Sequence, residues 1–251
     1  MTIDFHVHRP STRGMWGLED YPPDTYLALM DEMGVDASVI LPLDGLVYDA
    51  PAGNDEVAAW CAKDPDRLIP FCTVAAREPD APAELRRCVE ELGIRGLKLH
   101  PWLQGIHPLE PFMAPLCEEA ARLGVPVLLH DGTPPYSTPL QIGALAARHP
   151  DVRFVLGHGG LYDLWPEAIA AVQRHPNVYA CMTSLTPDAM RRLIHALPVE
   201  RLLFGTDAGL AAPGAHGYAI ERWAELRALG LDPETERAIV ETTPRALLTR
   251  Q

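Results

Sequence analysis

The chain has 251 residues, 47% of them apolar and 22% charged, the balance of a globular protein with one large core. Its net charge of −13 argues against nucleic acid or an anionic membrane as a partner, because both need a basic face. No run of 18 apolar residues offers a membrane span, and no basic segment followed by an apolar stretch precedes the opening MTIDFHVH. The expectation is a cytoplasmic protein that handles a small molecule, alone or as a homo-oligomer. Five scattered cysteines with no C-x-x-C pair read as free buried thiols.

Taken in chain order, short aliphatic runs alternate with longer segments of helical spacing. Strands are expected at 2–6, 37–41, 68–74, 96–100, 126–130, 153–158, 177–182 and 201–206. Helices are expected at 24–33, 55–62, 83–92, 111–123, 140–148, 165–174, 187–196 and 219–229, with a further stretch at 233–248. Runs such as VPVLL and RFVLG are apolar throughout, as in parallel strands buried on both faces. The segments RHPDV and RHPNV, at 148–152 and 174–178, each use a proline to end a helix before a strand. Eight β-then-α units at this length predict a single-domain α/β protein spanning 1–251, a (β/α)₈ TIM barrel. The Pro/Gly-rich stretches then become the loops of the active face. The longest of these, at 9–23 with Trp16 and Tyr21, is expected to cover part of a pocket.

Five of the ten histidines fall at or just past the last residue of an expected strand: His6, His8, His100, His130 and His158. Asp207 ends the eighth strand in the same way. His6 and His8 are two apart, so on a strand they share one face, which at the top of a barrel strand is the interior mouth. Two imidazoles there can meet one metal ion. Asp4 has the same parity and is expected on that face, deeper in the barrel. Lys98 and His100 are likewise two apart. Substrate contact and plain structural pairing both remain open for them. Arg9, directly after the histidine pair, reads either as a fork for a substrate carboxylate or as a solvated loop residue. His149, His175 and His195 end helices and read as non-catalytic.

The segments IDFHVH, GLKLHP, VLLHDG, FVLGHGG and LLFGTDAG, in this order, resemble the amidohydrolase superfamily. They are most similar to the amidohydrolase-related branch that includes aminocarboxymuconate-semialdehyde decarboxylase. The resemblance runs from Ile3 to about Leu248. It departs at 243–248, where TPRALL stands in place of the family's N-A-x-R-L-F. The resemblance implies His6, His8, His130 and Asp207 as metal ligands, with Asp207 also handling a proton. It implies His158 as a residue contacting the catalytic water or the substrate, and it adds for Lys98 the third alternative of a lysine bridging two metal ions, as in binuclear members.

The cofactor expected is one divalent metal ion per chain, zinc for preference. Three neutral imidazoles and a carboxylate leave an open position for water, whose pKa the ion would lower. The expected reaction is therefore hydrolysis, a metal-bound hydroxide attacking an amide, ester or lactone carbonyl. The alternative, using nearly the same residues, is non-oxidative decarboxylation of a small unsaturated or aromatic carboxylic acid. A cationic pocket from Arg9, Arg13 or Lys98 would favour the second.

Overall fold

The structure, a computed structural model, describes residues 1–11, 20–209 and 216–250. The elements run β1 (Ile3–His8), α1 (Pro23–Met33), β2 (Ala37–Leu41), α2 (Leu43–Val47), α3 (Ala50–Cys61), β3 (Leu68–Pro70), α4 (Ala81–Glu91), β4 (Leu97–Leu99), α5 (Pro101–Gln104) and α6 (Met113–Leu123). They continue with β5 (Val127–Leu129), α7 (Pro139–Arg148), β6 (Phe154–Leu156), α8 (Trp165–Arg174), β7 (Val178–Cys181), α9 (Pro187–Ala196), β8 (Leu202–Leu203), α10 (His216–Arg227), α11 (Pro233–Arg237) and α12 (Thr243–Leu248). The eight predicted strands all form, in the predicted order. The expected terminal helix is broken into α11 and α12 by a π-turn at Ala238–Thr242.

Every strand pairing is parallel. Strands β1 to β3 form one sheet and β4 to β8 another. Isolated parallel bridges join them into the barrel, Cys72 to Leu97 on one side and Val7 to Ala208 on the other. Local chemistry sets the helix boundaries. Thr138 and Gln141 form a reciprocal capping box that opens α7, and Thr186 caps α9. Gly34 and Gly124 adopt the left-handed conformation that closes α1 and α6.

The apolar residues divide into two clusters. Leu97, Leu99, Val127, Leu129, Phe154 and Leu156 face outward and pack beneath the helices. Ile3, Phe5, Val39, Phe71, Leu128 and Leu203 fill the barrel interior, joined by Leu247 and Leu248 of α12. Because side chains alternate along a strand, Lys98, between outward-facing Leu97 and Leu99, points inward. All five cysteines are free and buried, as their spacing led one to expect. Among the described residues no helix is long and apolar enough to cross a membrane. The segment at 12–19, with Arg13 and Trp16, lies outside the described residues, and with it most of the first loop, which was expected to cover part of a pocket.

Candidate metal centre and active site

Strand β1 does not keep a regular alternation. Its pairing with β2 slips between Asp4 and Val7. A slip of this kind reverses which face the following side chains occupy. Ile3 and Phe5 therefore enter the interior, and yet His6 and His8 also reach the mouth. The expectation that Asp4 shares their face is corrected by this irregularity. The Asp4 carboxylate accepts from the Thr206 hydroxyl at 2.6 Å and the Thr206 N–H at 3.0 Å, and lies beside Tyr26 and Trp223 of the outer helices. Burial pushes its pKa up to about 6, against the hydrogen bonds from Thr206.

The donor atoms of His6, His8 and Asp207 gather within 4.8 Å of one another. Asp207 Oδ1 stands 3.3 Å from His8 Nε2 and 3.5 Å from His6 Nε2. Neither approach is aligned as a hydrogen bond, and this oxygen is buried with no partner among the described residues. Asp207 has φ 64°, rare for a residue with a Cβ, and its N–H donates to the His6 carbonyl at 2.8 Å. Two glycines make room for the pair of histidines. A Cβ on Gly205 would lie 2.5 Å from the His6 Cβ, and one on Gly209 only 1.9 Å from the His8 carbonyl oxygen.

Hydrogen bonding fixes the state of His6. Its Nδ1 lies 3.0 Å from the carbonyl of Gly157, which can only accept, so Nδ1 carries the proton and Nε2 is a bare lone pair. Burial, then the positive charge of Lys98, holds the His6 pKa well below the ordinary imidazole value. Burial likewise lowers that of His8. For Asp207, burial opposes ionisation. The neighbouring imidazoles outweigh it, and the carboxyl sits below the usual range. A His6 ring with Nε2 unprotonated, a second imidazole whose pKa burial lowers, and a carboxylate with one oxygen free of hydrogen bonds are the donor set a divalent cation requires. The residues present therefore fit a metal ion.

The other expected residues surround this group. His130 is not among the three converging donors. Its ring stacks on His100 at 3.8 Å and meets His158 edge-on at 4.2 Å. The ring of His158 lies 4.8 Å from that of His6. His158 Nδ1 is buried without a partner, and burial lowers its pKa to about 4. Lys98 is fully buried, and its Nζ lies 3.3 Å from His6 Nε2. Burial brings its pKa down to about 8, against the pull of Asp207 and Asp131. Arg9 is neither solvated nor free. Its guanidinium faces Asp44 at 3.4 Å, Glu56 at 3.5 Å and Asp20 at 3.8 Å, so its charge is matched within the protein.

Asp131 was not singled out by the sequence reading. It is fully buried, and its two carboxylate oxygens accept from the N–H groups of His158 at 2.7 Å and Gly160 at 2.6 Å. Burial pushes its pKa up to about 6. It ties the loop after β5 to the loop that carries His158. The available signal was the acid directly after the strand-five histidine in VLLHDG, which a strand-end search passes over.

Comparison with known proteins sharpens the chemistry. The chain is 31% identical over 183 residues to gamma-resorcylate decarboxylase of Rhodococcus jostii, an alignment covering 55% of this chain and 56% of that protein. It is 24% identical over 238 residues to 2-amino-3-carboxymuconate-6-semialdehyde decarboxylase of Dictyostelium discoideum, covering 72% of this chain and 66% of the relative. The chain thus spans little more than half the length of the first of these relatives. Among solved structures, 2,6-dihydroxybenzoate decarboxylase from Rhizobium superposes with a TM-score of 0.77 at 21% identity, over 98% of each chain. A 5-carboxyvanillate decarboxylase from Novosphingobium aromaticivorans, solved with bound manganese, gives 0.75 at 17% identity, over 99% of this chain and 97% of that one. Both likenesses speak to the barrel alone. The expectation of hydrolysis is overturned by these relatives, which are named as decarboxylases. The Amidohydrolase family profile matches residues 3–250, and the chain belongs to that family.

Proposed function

We propose that this chain is a metal-dependent, non-oxidative decarboxylase of a small aromatic carboxylic acid. The observation that carries the reading is the convergence of His6, His8 and Asp207 at the barrel mouth, with an unpaired carboxylate oxygen, in a chain whose curated relatives are decarboxylases. These three would hold one divalent cation. Zinc suits a set of two imidazoles and a carboxylate. His130 is the proposed fourth ligand, from a ring placed by stacking against its neighbours. When bound, the cation supplies positive charge that fixes the anionic oxygens of the acid.

The remaining work falls to the chain's own groups. Decarboxylation replaces a ring C–CO₂ bond by a C–H bond. A proton is added at the ring carbon, and the electrons of the breaking bond restore the aromatic ring as CO₂ departs. Asp207 is the carrier of that proton, on the carboxylate oxygen not given to the cation. His158, beside His6 and held from behind by Asp131, lines the position of the ring.

The test is CO₂ release from a panel of hydroxybenzoic acids by zinc- or manganese-loaded protein. The expected result is one CO₂ per acid consumed and, in D₂O, one deuterium on the vacated ring carbon. Asp207→Asn should lower the rate by about 100-fold or more, the contribution typical of a positioned proton donor. Metal-loaded protein that releases no CO₂ from any acid in the panel sinks the proposal.

A further inference from the structure

The histidines around the mouth are held in opposite tautomers. His6 has its proton on Nδ1 and a bare Nε2. His100 is the reverse. It stands at the end of β4 as the residue that caps α5, and its Nδ1 accepts the Leu103 N–H at 3.4 Å. A nitrogen that accepts an N–H cannot itself carry a proton, so the ring is neutral and its single proton sits on Nε2.

The side chain is 6% exposed and firmly placed. One face of its ring stacks on His130 with planes 13° apart. Its backbone N–H donates to Gln104 Oε1 at 2.8 Å, and Gln104 in turn donates to the Val74 carbonyl at 2.8 Å and contacts the Thr73 hydroxyl at 3.3 Å. Nε2–H, by contrast, finds no acceptor among the described residues. A metal ion needs lone pairs, and this nitrogen offers a proton instead.

Two residues back on the same inward face is Lys98. It is fully buried, its hydrogen bond goes to the neutral His6 ring, and no carboxylate oxygen lies within 4.0 Å of its amine among the described residues. The inner face of β4 thus presents an N–H donor and an amine with no carboxylate in ion-pair contact among the described residues. That is the complement of an anion.

Resting on the decarboxylase reading, we infer that His100 is a substrate-positioning residue that donates from Nε2–H to the carboxylate of the aromatic acid, with Lys98 supplying charge beside it. The acid is thereby distinguished from its own product. Loss of CO₂ removes the acceptor, so the phenolic product is held less firmly and leaves.

The experiment measures binding of 2,6-dihydroxybenzoate and of its decarboxylated counterpart, 1,3-dihydroxybenzene, by titration calorimetry on the metal-loaded protein. His100→Phe keeps a flat ring for the stack and removes the donor; His100→Gln keeps a donor. Wild type should prefer the acid. His100→Phe should weaken acid binding about tenfold or more, the scale of a lost hydrogen bond to a charged group, with diol binding within twofold of wild type. His100→Gln should recover most of the loss. Equal loss on both ligands, no loss on the acid, or a wild type without preference for the acid each overturns the inference. CO₂ release across the acid panel is scored separately. A wild type that prefers the acid yet yields no CO₂ condemns the reaction and leaves the recognition standing.

Discussion

At the amino-terminal end of the barrel, Ile3, Phe5 and Leu203 pack with Leu247 and Leu248 into an apolar floor. A few residues further along β1 and just past β8, His6, His8 and Asp207 gather at the mouth, with a buried oxygen left unpaired. The floor satisfies itself: apolar surface meets apolar surface, and each buried side chain of this size contributes about 1.5–3 kcal/mol. The mouth leaves its polar atoms waiting for a ligand. The same strands serve stability at one end and chemistry at the other, the usual division of labour in this architecture. Strand β1 serves both within six residues because its pairing slips between Asp4 and Val7.

The largest expected effect tests that division directly. His6→Ala combined with His8→Ala should abolish metal binding, read by elemental analysis as near zero ions per chain. CO₂ release should fall below detection, while the circular dichroism of the fold persists. Collapse of the fold in the double variant would mean that mouth and floor are not separable. Phe5→Ala should do the opposite. It should cost about 3–5 kcal/mol in denaturant unfolding, as for large aromatic-to-alanine changes in cores, and leave the ion count per folded chain unchanged. Asp131→Asn should come next. An amide can accept one of the two N–H bonds, but its NH₂ faces the other donor, so His158 should shift. A rate loss of roughly tenfold is expected with a smaller loss in unfolding free energy, about 1–3 kcal/mol.

The smallest effect concerns pH. In metal-free protein the buried imidazoles have lowered pKa values, so stability rises with pH from the folded pKa towards 6.5; for His158 the window runs from about 4 upward. Asp4 and Asp131, raised to about 6, act with the opposite sign, since the folded state holds their protons more tightly and stability falls as pH rises from 3.8 to about 6. Five imidazoles outnumber two carboxylates. Metal-free protein should therefore melt several degrees lower at pH 5 than at pH 7, and Asp4→Asn should steepen that dependence. A melting temperature that rises on acidification would contradict the balance.

Strand order, the barrel and the clustering of chain-distant histidines were legible in the sequence because they depend on periodicity and on position within each strand. What eluded it depended on departures from periodicity or on contacts between loops. The displacement of Asp4 needs a slip in register that no residue type announces. The pairing of Asp131 with the His158 and Gly160 N–H groups joins two loops 27 and 29 residues apart. Arg9 carries the same charge in a solvated loop as it does facing three carboxylates, so its sequence neighbours say nothing about its use. The expectation of hydrolysis failed because hydrolysis and decarboxylation ask for the same ligands, and what told against it was the names of the relatives.

The seam between β8 and β1 has a mechanical consequence. Its bonds run from Phe5 N–H to the Phe204 carbonyl at 2.9 Å, from Asp207 N–H to His6 at 2.8 Å and from His8 N–H to Ala208 at 2.7 Å. Three of the candidate ligands straddle this join, two on the first strand and one just past the last. An ion seated there would act as a rivet across the seam where the first and last strands of the barrel meet. Peeling away the opening strand would then require ejecting the ion first, so loading the protein should slow local fraying of residues 3–8 far more than it slows motion elsewhere in the wall.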